Sequence, residues 1–145
     1  MKQETTVLWL KAGSALTVFF GVLIALASIP AANAPVEILA DLIFFPVDGA
    51  QNVGAPETRL MNAIGGGVMT GWGIMIWMLA TRLYPREPAL AKQLIVTSVV
   101  AWFVVDSAGS LMSGAPLNAL FNVSFLLIFC VPLWLAGRQQ EAVAG

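Results

Sequence analysis

The residue in this chain best placed to do chemistry is Asp106, the one carboxylate lying well inside a long apolar stretch. An aspartate near the middle of a membrane helix costs about 2.5–3.5 kcal/mol to insert, and each Leu, Ile, Val or Phe offsets roughly 0.3–0.6 kcal/mol of that. The stretch around Asp106 holds about nine such residues, together worth roughly 3–5 kcal/mol, so its helix alone is near break-even. The carboxylate is therefore expected to face other helices and find donors there, or to carry a proton.

Depth selects the donors. Asp106 lies about seven residues, roughly 10 Å at 1.5 Å per residue, below one end of its helix. Asn122 sits at a similar depth in the following span, and Asn118 one turn above it. Ser110 and Ser113 extend the face of Asp106 toward the same surface. Arg59 and Asn62 open the second span at that surface, and the arginine is long enough to reach inward. Arg59, Asn62, Asp106, Ser110, Asn118 and Asn122 are thus expected to meet in one polar pocket. Such a pocket suits a proton, an ion or a small ligand. The competing role is a hydrogen-bonded core that fixes helix order, with Arg59 and Asp106 as a structural pair. Lys11 enters at the opposite surface and is expected to snorkel there. One acid with no second titratable partner along a path is an incomplete proton relay.

Composition removes most other chemistry. Of 145 residues, 59% are hydrophobic and 10% charged, against about a quarter charged in globular chains. The mean hydropathy is +0.85. There is no histidine, which removes the usual zinc, copper and haem ligand sets and the commonest general base. The single cysteine, Cys130, excludes a disulfide scaffold and lies in apolar surroundings. Seven Lys+Arg against eight Asp+Glu leave no basic footprint for nucleic acid. Met69, Met75 and Met78 read as core filler rather than copper ligands. Gly65-Gly66-Gly67 has neither the preceding strand nor the following Lys-Ser/Thr of a phosphate loop. No metal, cofactor or catalytic residue is expected.

The elements that must position these residues are membrane helices. Four stretches reach the roughly 20 apolar residues that a bilayer core requires, about residues 7–29, 60–81, 94–112 and 117–136. The fold class that follows is all-α: a single integral membrane domain over residues 1–145, four transmembrane helices in a bundle. Ser113-Gly114-Ala115-Pro116 is so short that the last two spans must be antiparallel neighbours. Every basic residue except Arg59 falls on one side, while the loop between the first two spans carries Glu37, Asp41, Asp48 and Glu57. The positive-inside rule then puts both termini in the cytoplasm and the chain in the plasma (inner) membrane. Residues 1–34 also resemble a signal peptide ending at Ala32-Asn33-Ala34. Pro35 after the cut, Glu4 in the n-region and the length of the apolar run argue against cleavage. Within the first outer loop, Val36–Val47 pairs Glu37 with Asp41 at i,i+4 and groups Leu39, Leu42 and Ile43 on another face. It is too short to span, and is expected as an interfacial helix ended by Pro46. Asp48–Ala55 reads as turn.

The second span is rich in glycine. Gly67-Val-Met-Thr-Gly71 is a GxxxG motif and is expected as an internal packing seam, with Asn62, Gly66, Thr70 and Gly73 on an adjacent stripe. The alternative for the GxxxG is a dimer contact. Gly54-Ala55-Pro56 before this span echoes Gly114-Ala115-Pro116 before the fourth, and at the same offset Leu60 matches Leu120 and Asn62 matches Asn122. The first and third spans do not echo one another, so generic helix-start chemistry explains the match better than duplication. Trp9, Trp77 and Trp134 read as interfacial anchors, Trp72 and Trp102 as packing, and Pro132 as a kink late in the fourth span.

The four spans, the short loops, Glu57-Thr58-Arg59 closing an acidic outer loop, the glycine-rich second span and the phrase Trp102–Ser110 resemble the DoxX-like small bacterial membrane proteins. That resemblance implies a membrane protein of the kind sometimes linked to redox complexes. Three roles follow: an accessory subunit held by helix contacts to itself or to a larger membrane complex, a small transporter or channel using the Asp106 pocket, and an enzyme acting on a lipid or quinone. The last lacks a visible nucleophile–base pair.

Overall fold

The computed structural model describes residues 1–144, with side chains through Arg138, and its regular structure is helical throughout. The helices are α1 (Gln3–Leu26), α2 (Ala34–Ile43), α3 (Pro56–Met78), α4 (Pro88–Met112) and α5 (Pro116–Ala144). A 3-10 turn, Pro30–Ala32, precedes α2, and a π-helical turn, Leu79–Leu83, extends α3. Four segments are long and apolar enough to cross a membrane: Gln3–Leu26, Pro56–Leu83, Pro88–Met112 and Pro116–Arg138. Three of the four long helices start at a proline, which has no N–H to leave unpaired in the first turn and whose fixed φ suits it. These starts lie before the apolar limits at residues 60, 94 and 117, because helical geometry continues past the hydrocarbon-like stretch. The first helix likewise starts at Gln3 rather than Val7, and ends at Leu26 rather than Ile29.

The outer surface is apolar, Val105 being 74% and Met112 89% exposed, the inverse of a water-soluble bundle. Helix α1 packs along α3, α4 along α5, and α1 crosses α5; α3 and α4 meet chiefly at Trp72 against Trp102 and at the π-helical turn. The principal core joins Leu10, Ile76, Ala80, Tyr84, Ile95, Val99, Phe129 and Leu133, all toward the end of the bundle that carries the chain termini. There Met1 donates its amino group to the Leu135 carbonyl at 3.0 Å. Lys11 lies 5.0 Å from the Trp77 ring centroid, and Arg138 lies 4.3 Å from that of Trp134. A smaller cluster, Ala27, Val36 and Val53, closes the opposite end beneath α2.

The tightest seam is α1 on α3. A Cβ at Gly21 would come within 2.6 Å of the Thr70 amide, and one at Gly73 within 2.8 Å of Val18. One at Gly66 would strike the Ala25 backbone. Small residues let these backbones touch where lipid supplies no hydrophobic drive for association. The GxxxG pair is not in this seam. Gly67 and Gly71 are exposed, with nothing near their missing Cβ atoms, because the stripe through Gly66, Thr70 and Gly73 turns them outward.

Helix α2 starts and ends earlier than Val36–Val47, stopping before Pro46. Its acids do not form a free polar face. Asp41, 6% exposed, accepts the Gly49 N–H at 2.8 Å and the Gln51 N–H at 3.1 Å. Glu37 accepts the Asn33 side-chain amide at 3.0 Å and the Val53 N–H at 3.5 Å. Both carboxylates thus tie the loop after α2 back onto the helix, with Gly49 at φ +73° making the turn.

Candidate functional site

Two antiparallel helices build the polar site. After α4, Gly114 adopts φ +77° and the Ala115 N–H bonds the Ser110 carbonyl at 2.9 Å, closing the helix end and sending α5 back along α4. This reversal sets Asp106, Ser107 and Ser110 of α4 opposite Asn118 and Asn122 of α5. Asp106 Oδ1 accepts from Asn122 Nδ2 at 2.7 Å and from Asn118 Nδ2 at 3.0 Å. Ser110 Oγ lies 2.8 Å from the Asp106 carbonyl and 3.2 Å from Oδ1, so its single proton is shared between them. Each asparagine uses both amide hydrogens, Asn118 the second on Ser110 Oγ at 2.8 Å and Asn122 the second on Ser107 Oγ at 3.2 Å. Asn122 is 5% exposed.

All three side-chain donors converge on one carboxylate oxygen. Among the described residues none donates to Oδ2. Asp106 also borders a cavity of about 430 Å³ between the α1–α3 and α4–α5 pairs. Phe20 and Ile24 of α1 form one wall and Phe121 and Phe125 of α5 another, while Leu39 and Ile43 of α2 form the roof. Trp102, one turn from Asp106 on the same helix face, lines it too. Phe125 meets Phe20 edge-on at 5.9 Å and Trp102 at 6.1 Å, so the aromatic rings brace one another.

Arg59 and Asn62 lie elsewhere. Arg59 Nε donates to the Ser28 carbonyl at 2.7 Å, just beyond the end of α1, where helix carbonyls lack intrahelical partners. Asn62 sits one turn before Gly66 on α3; its Nδ2 is buried without a partner. Neither borders the cavity. The cause is rotational: the glycine seam binds their face of α3 to α1, and sequence depth carried no information about that angle. Ser113 bonds its own helix at the Gly109 carbonyl, 2.6 Å away, and is exposed. Ser107 is the residue that depth reasoning passed over. Its signal was stoichiometric, since a buried asparagine has two N–H groups to satisfy and Asp106 takes one. The apolar face of α2 was visible as Leu39, Leu42 and Ile43, yet nothing local said that it would cover a cavity.

The arrangement can accept a hydrogen bond or hold a positive charge at Oδ2 in apolar surroundings. No group of three or more His, Cys, Asp or Glu that could hold a metal ion occurs among the described residues. No protein-family model, curated protein or solved structure matches this chain.

Proposed function

We propose that this chain is a small multi-pass protein of the plasma membrane, with cytoplasmic termini, that takes an amphipathic molecule from the bilayer into the cavity and holds its polar end on Asp106. The supporting observation is the asymmetry of that carboxylate: Oδ1 is saturated by Asn118, Asn122 and Ser110, Oδ2 has no donor among the described residues, and Asp106 borders about 430 Å³ of largely apolar space. Oδ2 is left free to accept a donor from outside the protein. The basic residues clustered toward the terminal end support the orientation, which puts the cavity in the outer half of the membrane. Ser124 is the one serine bordering the cavity, and no histidine, lysine or cysteine borders it among the described residues, which favours binding or passage over covalent chemistry.

A photoactivatable alkyl diazirine alcohol, added to the protein in nanodiscs, tests this reading. Adducts are expected on Phe121, Phe125 and Trp102, and they should fall when Ser124→Trp fills the cavity that Ser124 borders. Labelling confined to outward-facing residues such as Val68 and Val105 would refute it.

A second reading, contact with another copy or with a larger membrane complex, is favoured by the outward-facing Gly67 and Gly71. Gly67→Ile together with Gly71→Ile should then reduce cross-linking between copies in native membranes. Unchanged cross-linking would remove self-association through this face.

A further inference from the structure

Resting on the reading of the cavity as a binding site, we infer that its ligand is a lipophilic organic cation, an ammonium head on an apolar body. Asp106 is the one ionisable side chain that borders the cavity. Of the basic residues within the spans, Arg59 is engaged on the Ser28 carbonyl, Lys11 over Trp77 and Arg138 over Trp134, and neither Arg82 nor Lys92 borders the cavity. When ionised, Asp106 therefore presents a negative charge with no basic side chain among the described residues bordering the cavity. A neutral alcohol could occupy Oδ2 but would leave the charge uncompensated in apolar surroundings. A cation cancels it.

The walls agree with that choice. Phe20, Trp102, Phe121 and Phe125 border the same cavity as Asp106, and aromatic rings attract organic cations, more strongly when water is excluded. Hard divalent cations such as calcium require a shell of about six to eight oxygens, whereas only Asp106, Asn118, Asn122 and Ser124 bring side-chain oxygens to this lining, and Asp106 Oδ1 is already taken. The route in also suits a lipophilic body. Leu16 and Ile128 border both the cavity and a surface groove with Trp9, Ala12 and Gly13 between α1 and α5, so the site adjoins the bundle's apolar flank.

The test uses three probes of equal chain length on the protein in nanodiscs: octyltrimethylammonium, its uncharged isostere with carbon in place of nitrogen, and octyl sulfate. Asp106→Asn keeps an oxygen for Asn118, Asn122 and Ser110 while putting an N–H donor where Oδ2 stood. Saturable binding of the ammonium is expected, weakened about tenfold or more by Asp106→Asn. Ser124→Trp, which leaves the carboxylate untouched, should weaken it as well and keeps the test decisive if Asp106→Asn does not fold. Equal binding of the isostere or the sulfate, insensitive to Asp106→Asn, would overturn the cation assignment while leaving the cavity as a binding site. Ammonium binding that survives Ser124→Trp would overturn the location. Absence of saturable binding by all three probes would overturn both the cation assignment and the binding reading itself.

Discussion

The bond between Asn122 and Asp106 should be measurable as a coupling energy. Asn122 makes two interhelical hydrogen bonds, at 2.7 Å to Asp106 Oδ1 and at 3.2 Å to Ser107 Oγ. Interhelical hydrogen bonds in membrane proteins average about 0.6 kcal/mol and reach about 1.7 kcal/mol. Its length puts the short contact in the upper part of that range, about 1–1.5 kcal/mol, and the longer one near 0.5 kcal/mol. Asn122→Ala should therefore cost about 1.5–2 kcal/mol, read by titrating detergent-solubilised protein with a denaturing detergent and following far-UV circular dichroism. Asp106→Ala by itself mixes a lost attraction with a relieved desolvation cost, so its sign says little. The double-mutant cycle isolates the pair, and a coupling near 1 kcal/mol, about fivefold in the unfolding constant, is expected. The same cycle between Asp106 and Arg59 should give none, because Arg59 is bonded to Ser28 on the other helix pair. Zero coupling with Asn122, or equal coupling with Arg59, would refute the site geometry.

Glycine positions along α3 should divide sharply. Gly66→Ala drives a methyl into the Ala25 and Gly21 backbones and should destabilise by about 1–3 kcal/mol, whereas Gly67→Ala, with nothing near its Cβ, should stay within about 0.5 kcal/mol of the parent in dilute detergent. Equal losses at both positions would mean that α1 and α3 are not seated as described. Asp41→Ala frees the Gly49 and Gln51 amides, so hydrogen exchange and limited proteolysis should rise across residues 44–55. Stability of the four long helices should change little; unaltered exchange in that loop would contradict Asp41 as its anchor.

Much of the polar site could be read from residue depth alone. Asp106 needed donors, and Ser110, Asn118 and Asn122 lie at the right heights on two helices that a four-residue turn forces side by side. Arg59 and Asn62 satisfy the same height criterion, yet they belong to another helix pair. Height is set by counting residues along a helix, but the rotation of α3 is set by which stripe of small residues finds a partner. Two stripes competed, Gly67/Gly71 and Gly66/Thr70/Gly73, and a motif search favours the first. The second won because α1 offers Ser14, Gly21 and Ala25 along a matching face, a complementarity visible only with both helices in place.

The sequence by itself determined the four apolar helices, their limits to within about six residues, the antiparallel reversal at Gly114 and the need of one stranded carboxylate for company. These follow from local quantities: hydropathy over a window, the conformational demands of proline and glycine, and the insertion cost of a charge. Only the tertiary structure decided that the helices pair as α1 with α3 and α4 with α5, that Asp106 is satisfied through one oxygen and open through the other, and that α2 roofs the space between the pairs. Those outcomes depend on the relative rotation of whole helices. Rotation is fixed by the fit between two surfaces far apart in the chain, and neither surface carries that information alone.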